Sequence, residues 1–178
     1  MEYQDYIWVR IWHGYLRKAS GKNHPKELGG LFGGHVVLQI EGHCYGFFYL
    51  NRKKIHVLPQ AEKYSCEFQK QPISEWEGII ADKKETTICI PVNQKDYAQI
   101  LEFYEQALKQ APYDYAMFGQ RCASSVYCLL KDLKIITGPH YYLAAFYPDA
   151  LRRTLLKHAR KQNWKVVVKR GSTDRIWV

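Results

Sequence analysis

The sequence predicts an α+β fold in which an antiparallel sheet is packed with helices. Three observations predict it: strand-like alternation comes first along the chain, segments with helical periodicity follow, and a strand-like segment closes the chain. The chain has 178 residues, of which 47% are hydrophobic and 24% are charged, and this is typical of one globular domain. We therefore expect residues 1–178 to form a single domain.

The first predicted elements are a strand and a hairpin. Residues 6–12 alternate between Ile or Val on one face and Trp or Arg on the other, which predicts a strand. Two short apolar runs follow at 35–40 and 45–50, and the gap between them contains Gly42. A glycine in such a gap is typical of a β-hairpin.

Further strands are predicted in the middle and at the end of the chain. Residues 51–86 are mixed and charged, so we expect a loop there with a short helix near 74–79. The β-branched segment at 86–92 predicts another strand. Residues 164–169 and 175–178 predict a closing pair of strands around a glycine.

Three helices are predicted in the second half of the chain. The first covers 94–110, with Asn93 as its N-cap and Pro112 just beyond its end. The second begins near Cys122 and the third at Pro148, and each carries leucines at helical spacing.

The charge of the chain favours anionic partners without choosing among them. Lys and Arg total 26 against 17 Asp and Glu, so the formal net charge is +9. Such a charge attracts nucleic acid, lipid surfaces and anionic polymers alike. We expect the basic residues at 152–161 to form a solvated helix face, and no nucleic-acid-binding motif accompanies them. The lack of such a motif argues against a nucleic-acid partner, although the charge alone would allow one.

Several common kinds of site are excluded because their motifs are absent. The glycine-rich segment at 29–34 has neither the Lys-Ser/Thr nor the glycine spacing of a phosphate-binding loop. The motifs G-x-S-x-G and H-E-x-x-H do not occur. The five cysteines contain no C-x-x-C pair, so we predict no metal and no cofactor. Their odd number also argues against a disulfide-stapled secreted module.

The sequence contains no signal for membrane insertion. Its first residues, MEYQDY, lack the basic and apolar regions of a signal peptide. No apolar run approaches the ~20 residues that a membrane helix needs. We therefore expect no transmembrane segment and a cytoplasmic location, which is compatible with export by a dedicated secretion system.

The candidate reactive residues are a histidine that opens a strand, His35, and a cysteine that opens a helix, Cys122. A helix N-terminus presents free N–H groups and partial positive charge, which lower a thiol pKa and can hold an oxyanion. A cysteine nucleophile also needs an imidazole within reach. From these two residues alone, an ordinary structural role for each stays open, because buried cysteines and core histidines are common.

Longer segments around both residues resemble circularly permuted papain-like proteins of the NlpC/P60 superfamily. The segment GHVVLQI at 34–40, followed by YGFF at 45–48, resembles the histidine strand of that superfamily and its partner. The segments IPVNQKDY at 90–97 and PYDYAMFGQRCASSV at 112–126 resemble its strand, helix and cysteine signature. The order of histidine first and cysteine later is the permuted order.

The resemblance implies a papain-like antiparallel sheet packed with helices, with Cys122 as nucleophile and His35 as base. We expect the backbone N–H of Cys122, helped by Gln120, to hold the oxyanion. Arg121 and Tyr115 are the expected substrate-binding residues, and Arg121 stands where the family usually has Asn.

A third polar residue orients the imidazole in the family. It lies about twelve residues after the histidine, where this chain has Phe47. Tyr49 is the next residue on the same face of a regular strand, so Tyr49 is the candidate third member. Glu41, His43 and Asn51 are alternatives that depend on the geometry of the turn. His13 and His140 compete with His35 for the role of base.

The function predicted from the sequence is a cysteine hydrolase that cleaves an amide bond, as a peptidase or a peptidoglycan-type amidase. Its partner would be a peptide, peptidoglycan or acyl substrate of anionic character. One alternative is a lipid or thioester acyl hydrolase or transferase that uses the same Cys–His pair. A second alternative is a non-catalytic basic binding module on the same scaffold.

Overall fold

The computed structural model describes residues 5–13, 34–50, 55–61 and 66–171. Within these residues a six-stranded antiparallel sheet is packed with helices, which confirms the predicted fold class. The strands are β1 (Asp5–Trp12), β2 (His35–Ile40), β3 (His43–Tyr49), β4 (Cys66–Pro72), β5 (Glu85–Val92) and β6 (Val166–Lys169). The helices are α1 (Ile73–Ile79), α2 (Gln94–Lys109), α3 (Cys122–Asp132), α4 (Tyr141–Ala144) and α5 (Pro148–Gln162).

The first strand of the chain lies in the middle of the sheet. The strand order is β4-β3-β2-β1-β5-β6, so β1 pairs with β2 on one side and with β5 on the other. Ile7, Val9 and Ile11 are buried on one face of β1, and Arg10 and Trp12 are buried on the other. Both faces of the sheet are therefore covered at its centre.

The face that carries Ile7, Val9 and Ile11 packs against α2, α3 and α5. Each of these helices contributes buried apolar side chains at helical spacing to one continuous core. As predicted, Asn93 caps α2, because its side chain accepts the backbone N–H of Asp96 at 2.8 Å.

The opposite face is covered by α1 and contains a buried ion pair. Arg10 donates two hydrogen bonds to Glu85, each of 2.8 Å, and both residues are buried. The indole N–H of Trp76 donates to the same carboxylate at 2.9 Å. These three side chains connect β1, β5 and α1, so the pair holds α1 against the sheet.

The structure differs from the sequence-based prediction at residues 66–72, where we expected a loop and the chain forms β4. Only Cys66 and Phe68 are buried in this strand, and its other residues are polar or Pro. An edge strand with one short buried face leaves little apolar alternation, which explains why the strand was missed.

The other predicted elements have mixed outcomes. The hairpin, the strand at the β5 position and the three long helices are confirmed. The short helix α4 was not predicted. The strand β6 pairs with β5, whereas its predicted partner at 175–178 and the glycine-rich segment at 29–33 lie outside the described residues.

The expected solvated basic face of α5 is wrong at Arg152, whose side chain is only 14% exposed. Arg152 and Arg153 both form ion pairs with Asp149, at 2.9 and 2.8 Å, and Asp149 is buried. The basic residues further along, including Lys157 and Lys161, are exposed as expected. Asp149 lies in the first turn of α5, where a carboxylate also interacts favourably with the helix dipole.

In the parts of the chain that the structure covers, no helix is both long and apolar enough to span a bilayer. The same parts hold no group of three or more His, Cys, Asp or Glu side chains suited to a metal ion.

Replacing Glu85 tests the buried ion pair. Glu85→Gln leaves the Arg10 guanidinium buried without its counter-charge, so we expect the free energy of unfolding to fall by about 3–5 kcal/mol. Urea denaturation followed by fluorescence measures this change. Glu77→Gln is the control, because Glu77 contacts the same arginine at 3.5 Å with a side chain that is 56% exposed. We expect the free energy of unfolding of the control to fall by less than about 1 kcal/mol. An equal fall in both variants would contradict the conclusion that the Arg10–Glu85 pair stabilises the fold.

Candidate active site

The candidate site lies where β2 extends beyond its pairing with β3. The ladder between these strands runs from Val37 opposite Gly46 to Ile40 opposite His43, while the first two residues of β2 pair with β1. The N-terminus of α3 lies at this point, because the backbone N–H of Val36 is close enough to the thiol of Cys122 to lower its pKa. The sheet and the helix therefore meet at the predicted nucleophile.

The segment before α3 is held in place by a buried carboxylate. Asp114 accepts a hydrogen bond of 2.6 Å from Nδ1 of His56 and another of 3.0 Å from the backbone N–H of Gln60. The hydroxyl of Tyr113 lies 2.6 Å from Oγ of Ser125 in the first turn of α3. These contacts position the start of α3 from both sides.

The first turn of α3 has the capping geometry of a helix start. The backbone N–H of Arg121 donates to Oγ of Ser124 at 2.7 Å, and Arg121 itself has the extended backbone of an N-cap. The backbone N–H of Ala123 lies close to the Sγ of Cys122 and acts to lower the pKa of the thiol. The thiol thus lies among backbone donors, as the sequence predicts for a helix N-terminus.

Burial nevertheless raises the pKa of the Cys122 thiol above its ordinary value. Only 4% of this residue is exposed. The N–H of Val36, the hydroxyl of Tyr115 and the charge of Arg121 act in the opposite direction but are smaller effects. The helix terminus was expected to lower this pKa, and in the folded chain the loss of hydration outweighs it. Cys122 is therefore a neutral thiol at neutral pH.

Tyr115 lies beside the nucleophile. Its hydroxyl donates to the Sγ of Cys122 over 3.9 Å, and burial raises the tyrosine pKa well above its ordinary value, so the hydroxyl remains a donor. Its ring lies 5.0 Å from that of Phe47 and 5.9 Å from that of Tyr49, measured between centroids. Tyr49, the predicted third member, therefore lies on the same side of the sheet as Cys122.

The ring of His35 lies on the other side of the sheet. It stacks on the ring of Phe48, with 4.4 Å between the centroids, and its centroid lies 6.1 Å from that of Trp76. Trp76 belongs to the core under α1. Burial lowers the pKa of this histidine to about 4, and its buried Nε2 has no hydrogen-bond partner. The imidazole is therefore neutral.

The structure thus brings the backbone of β2 to Cys122 but directs the His35 ring away from it. Successive side chains of a strand point to opposite faces, and Cys122 belongs to the core on the face of Val36. The sequence predicts that His35 begins a strand. The side of the sheet to which its ring points depends instead on which helices cover each side.

Gln120 and Arg121 point away from the thiol in this structure. The side-chain amide of Gln120 donates to the Sγ of Cys128 at 3.5 Å. The guanidinium of Arg121 lies 3.8 Å above the ring of Phe146 and donates to the carbonyl oxygen of that residue. Both side chains flank the start of α3, and each would have to turn to reach a group bound at Cys122.

The competing histidines have other contacts. Nε2 of His13 lies 2.6 Å from Oγ1 of Thr86, and the pKa of His13 is lowered to about 4, mainly by burial and also by the charges of Arg152 and Lys84. His140 is exposed and stacks on Tyr142 at 5.0 Å.

The imidazole–carboxylate pair of His56 and Asp114 was missed from the sequence. The two residues are separated by 58 positions, and although Asp114 lies in the segment that resembles the cysteine signature, nothing in that segment points to His56. No local pattern could have found the pair, because it exists only when the segment at 55–61 packs against the turn before α3.

No protein-family model matches the chain, and no curated protein sequence matches it either. Among solved structures, the fold is similar to the crystal structure of the type VI secretion system effector TseH, with a TM-score of 0.53. The similarity covers 93% of this chain and 97% of TseH at 10% sequence identity. At this identity the comparison shows a shared α+β fold, which fits a papain-like architecture.

The pH dependence of alkylation tests the environment of Cys122. Because burial raises its pKa, we expect the midpoint for reaction with iodoacetamide to lie above the ~8.5 of an ordinary thiol. Tyr115→Phe removes a donor to the sulfur, so it raises the midpoint further. Mass spectrometry of the Cys122 peptide measures the rate. Tyr97→Phe, which removes a hydroxyl bonded to Glu41 instead, is the control that leaves the midpoint unchanged. A wild-type midpoint below ~8.5 would contradict this account.

Proposed function

We propose that this protein is a cysteine hydrolase that cleaves amide bonds, with Cys122 as nucleophile and His35 as base. The observation that carries the proposal is the proximity of β2 to the start of α3, where the backbone N–H of Val36 lies close enough to the thiol of Cys122 to lower its pKa. This contact supports the proposal because it puts the residue next to His35 against the first residue of α3. The proposal includes a single permuted papain-like domain of the NlpC/P60 type over 1–178.

The proposed reaction proceeds through an acyl-enzyme. The imidazole of His35 accepts the thiol proton while the sulfur of Cys122 attacks the carbonyl carbon, and the carbonyl oxygen becomes an oxyanion. The backbone N–H of Cys122 and the turned amide of Gln120 would stabilise this oxyanion. The imidazolium then gives its proton to the leaving amine, and water hydrolyses the thioester to release the acid and restore the thiol.

The reaction requires the His35 ring to leave Phe48 and turn toward Cys122. Gly34, directly before it, has a φ of 118°, a backbone conformation that side-chain-bearing residues rarely adopt, so the chain can turn sharply here. Moving the ring out of its buried position removes the burial that lowers its pKa. The pKa would return toward the ordinary ~6.5, which suits a base at neutral pH.

The neighbouring side chains have proposed supporting roles. Tyr115 would donate to the developing thiolate, and Tyr49 would contact the His35 ring once it has turned. The positive charge of Arg121 would favour an anionic substrate, such as a peptide or a peptidoglycan fragment. The similarity in fold to a type VI secretion system effector supports the further proposal that this protein is itself an exported effector.

Amine release from peptidoglycan fragments and from a peptide mixture tests the proposal. We expect Cys122→Ala to abolish release and His35→Ala to lower its rate by about 10²–10⁴-fold, because a general base contributes that much. His140→Ala is the matched control, since His140 is exposed and lies outside the proposed machinery. Circular dichroism verifies that each variant is folded.

Two outcomes would change the assignment. Amine release that persists in Cys122→Ala would overturn the thiol mechanism. Loss of activity in His56→Asn but not in His35→Ala would move the role of base to the histidine that Asp114 orients.

A further inference from the structure

Three segments of the chain present large apolar side chains to solvent on one side of the molecule. Leu143 is 78% exposed, Leu58 is 64% exposed and Phe118 is 48% exposed. A soluble chain rarely exposes large apolar residues in a contiguous group unless the group binds something. We call this group the apolar loop patch, and its residues are Ile55, Val57, Leu58, Met117, Phe118, Tyr142 and Leu143.

Direct hydrogen bonds join the three segments. The backbone N–H of Phe118 donates to the carbonyl of Val57 at 2.9 Å, and the hydroxyl of Tyr142 donates to the carbonyl of Phe118 at 2.7 Å. The rings of Phe118 and Tyr142 both lie beside the ring of Phe146, with centroid distances of 6.5 and 5.8 Å. The exposed side chains therefore form one surface on a connected support.

The apolar loop patch borders the candidate site. Phe118 precedes Cys122 by four residues in the turn that leads into α3. Phe146, which supports the patch, lies under the guanidinium of Arg121 at the N-cap of that helix. Whatever covers the patch is consequently brought close to Cys122.

Basic side chains flank the patch. Oγ1 of Thr154 in α5 donates to the carbonyl of Ala144 at 2.8 Å, so α5 lies directly beside the segment that carries Leu143. Lys157 is an exposed neighbour of Thr154 on α5, and so is Arg153, whose guanidinium also pairs with Asp149. The chain as a whole has a net charge of +9. An anionic surface would meet both the apolar side chains and these cations.

We infer that the apolar loop patch docks on the surface of an anionic lipid bilayer. Apolar and aromatic side chains at adjoining loop tips can enter the interface between headgroups and acyl chains, and flanking Lys and Arg bind anionic headgroups. The inference goes beyond the proposed hydrolase and does not depend on it, because docking needs neither the thiol nor an imidazole.

Sedimentation with lipid vesicles tests the inference. We expect the full-length protein to bind vesicles of equimolar phosphatidylglycerol and phosphatidylcholine, and to bind phosphatidylcholine vesicles far more weakly. The double variant Phe118→Ser, Leu143→Ser is expected to bind the anionic vesicles at least about tenfold more weakly, because each lost apolar side chain removes burial in the interface. Arg153→Gln with Lys157→Gln should weaken binding less at high salt than at low salt.

A matched variant separates the patch from apolar exposure in general. Val167 and Val168 are 50% and 53% exposed on β6, so Val167→Ser with Val168→Ser removes exposed apolar side chains elsewhere. We expect this control and Cys122→Ala to bind vesicles as the wild type does. Normal binding by Cys122→Ala distinguishes the docking surface from the proposed catalytic chemistry.

Three results would overturn the inference. The first is a wild-type protein that does not bind anionic vesicles. The second is equal binding by the patch variant and the β6 control, because binding would then use another surface. The third is a wild-type dimer, detected without lipid, that the patch variant abolishes, because a second copy of the chain would then be the occupant.

Discussion

The structure depends on covering both faces of the sheet around its central strand. Because β1 has buried side chains on each side, α2, α3 and α5 must cover one face, and α1 must cover the other. The second face also buries Arg10, whose charge is tolerated there because Glu85 binds it in bidentate fashion and Trp76 donates to the same carboxylate. Packing on one face and a hydrogen-bonded polar cluster on the other together determine where α1, α2, α3 and α5 lie.

This two-sided burial also determines the state of the candidate catalytic groups. Cys122 lies under the helical layer and His35 lies under α1, so each loses hydration on its own face of the sheet. Loss of hydration disfavours the charged form of either group, which raises the pKa of the thiol and lowers that of the imidazole. The resting pair is neutral and separated by the sheet, and the proposed chemistry begins when substrate and ring movement bring the groups together.

The turn before α3 connects the candidate site to the surface. The hydrogen bond between Asp114 and His56 holds this turn in place, and Phe118 lies at its exposed tip, four residues before the nucleophile. A bilayer bound at the tip and a substrate bound at Cys122 would therefore contact the same short segment. Tyr142 and Phe146 extend this support to the segment before α5, so the inferred docking surface and Arg121 at the start of α3 contact one aromatic cluster.

Local patterns by themselves determined β1, the β2–β3 hairpin, the capped helix α2 and the cysteine at the start of α3. Each of these depends on side-chain periodicity or on a cap within a few residues, so the sequence carries the information directly. Tertiary structure alone decided that 66–72 becomes an edge strand, that the His35 ring faces α1, and that His56 meets Asp114. These features depend on which surfaces pack against each other across long separations in the chain, and a local pattern holds no record of such packing.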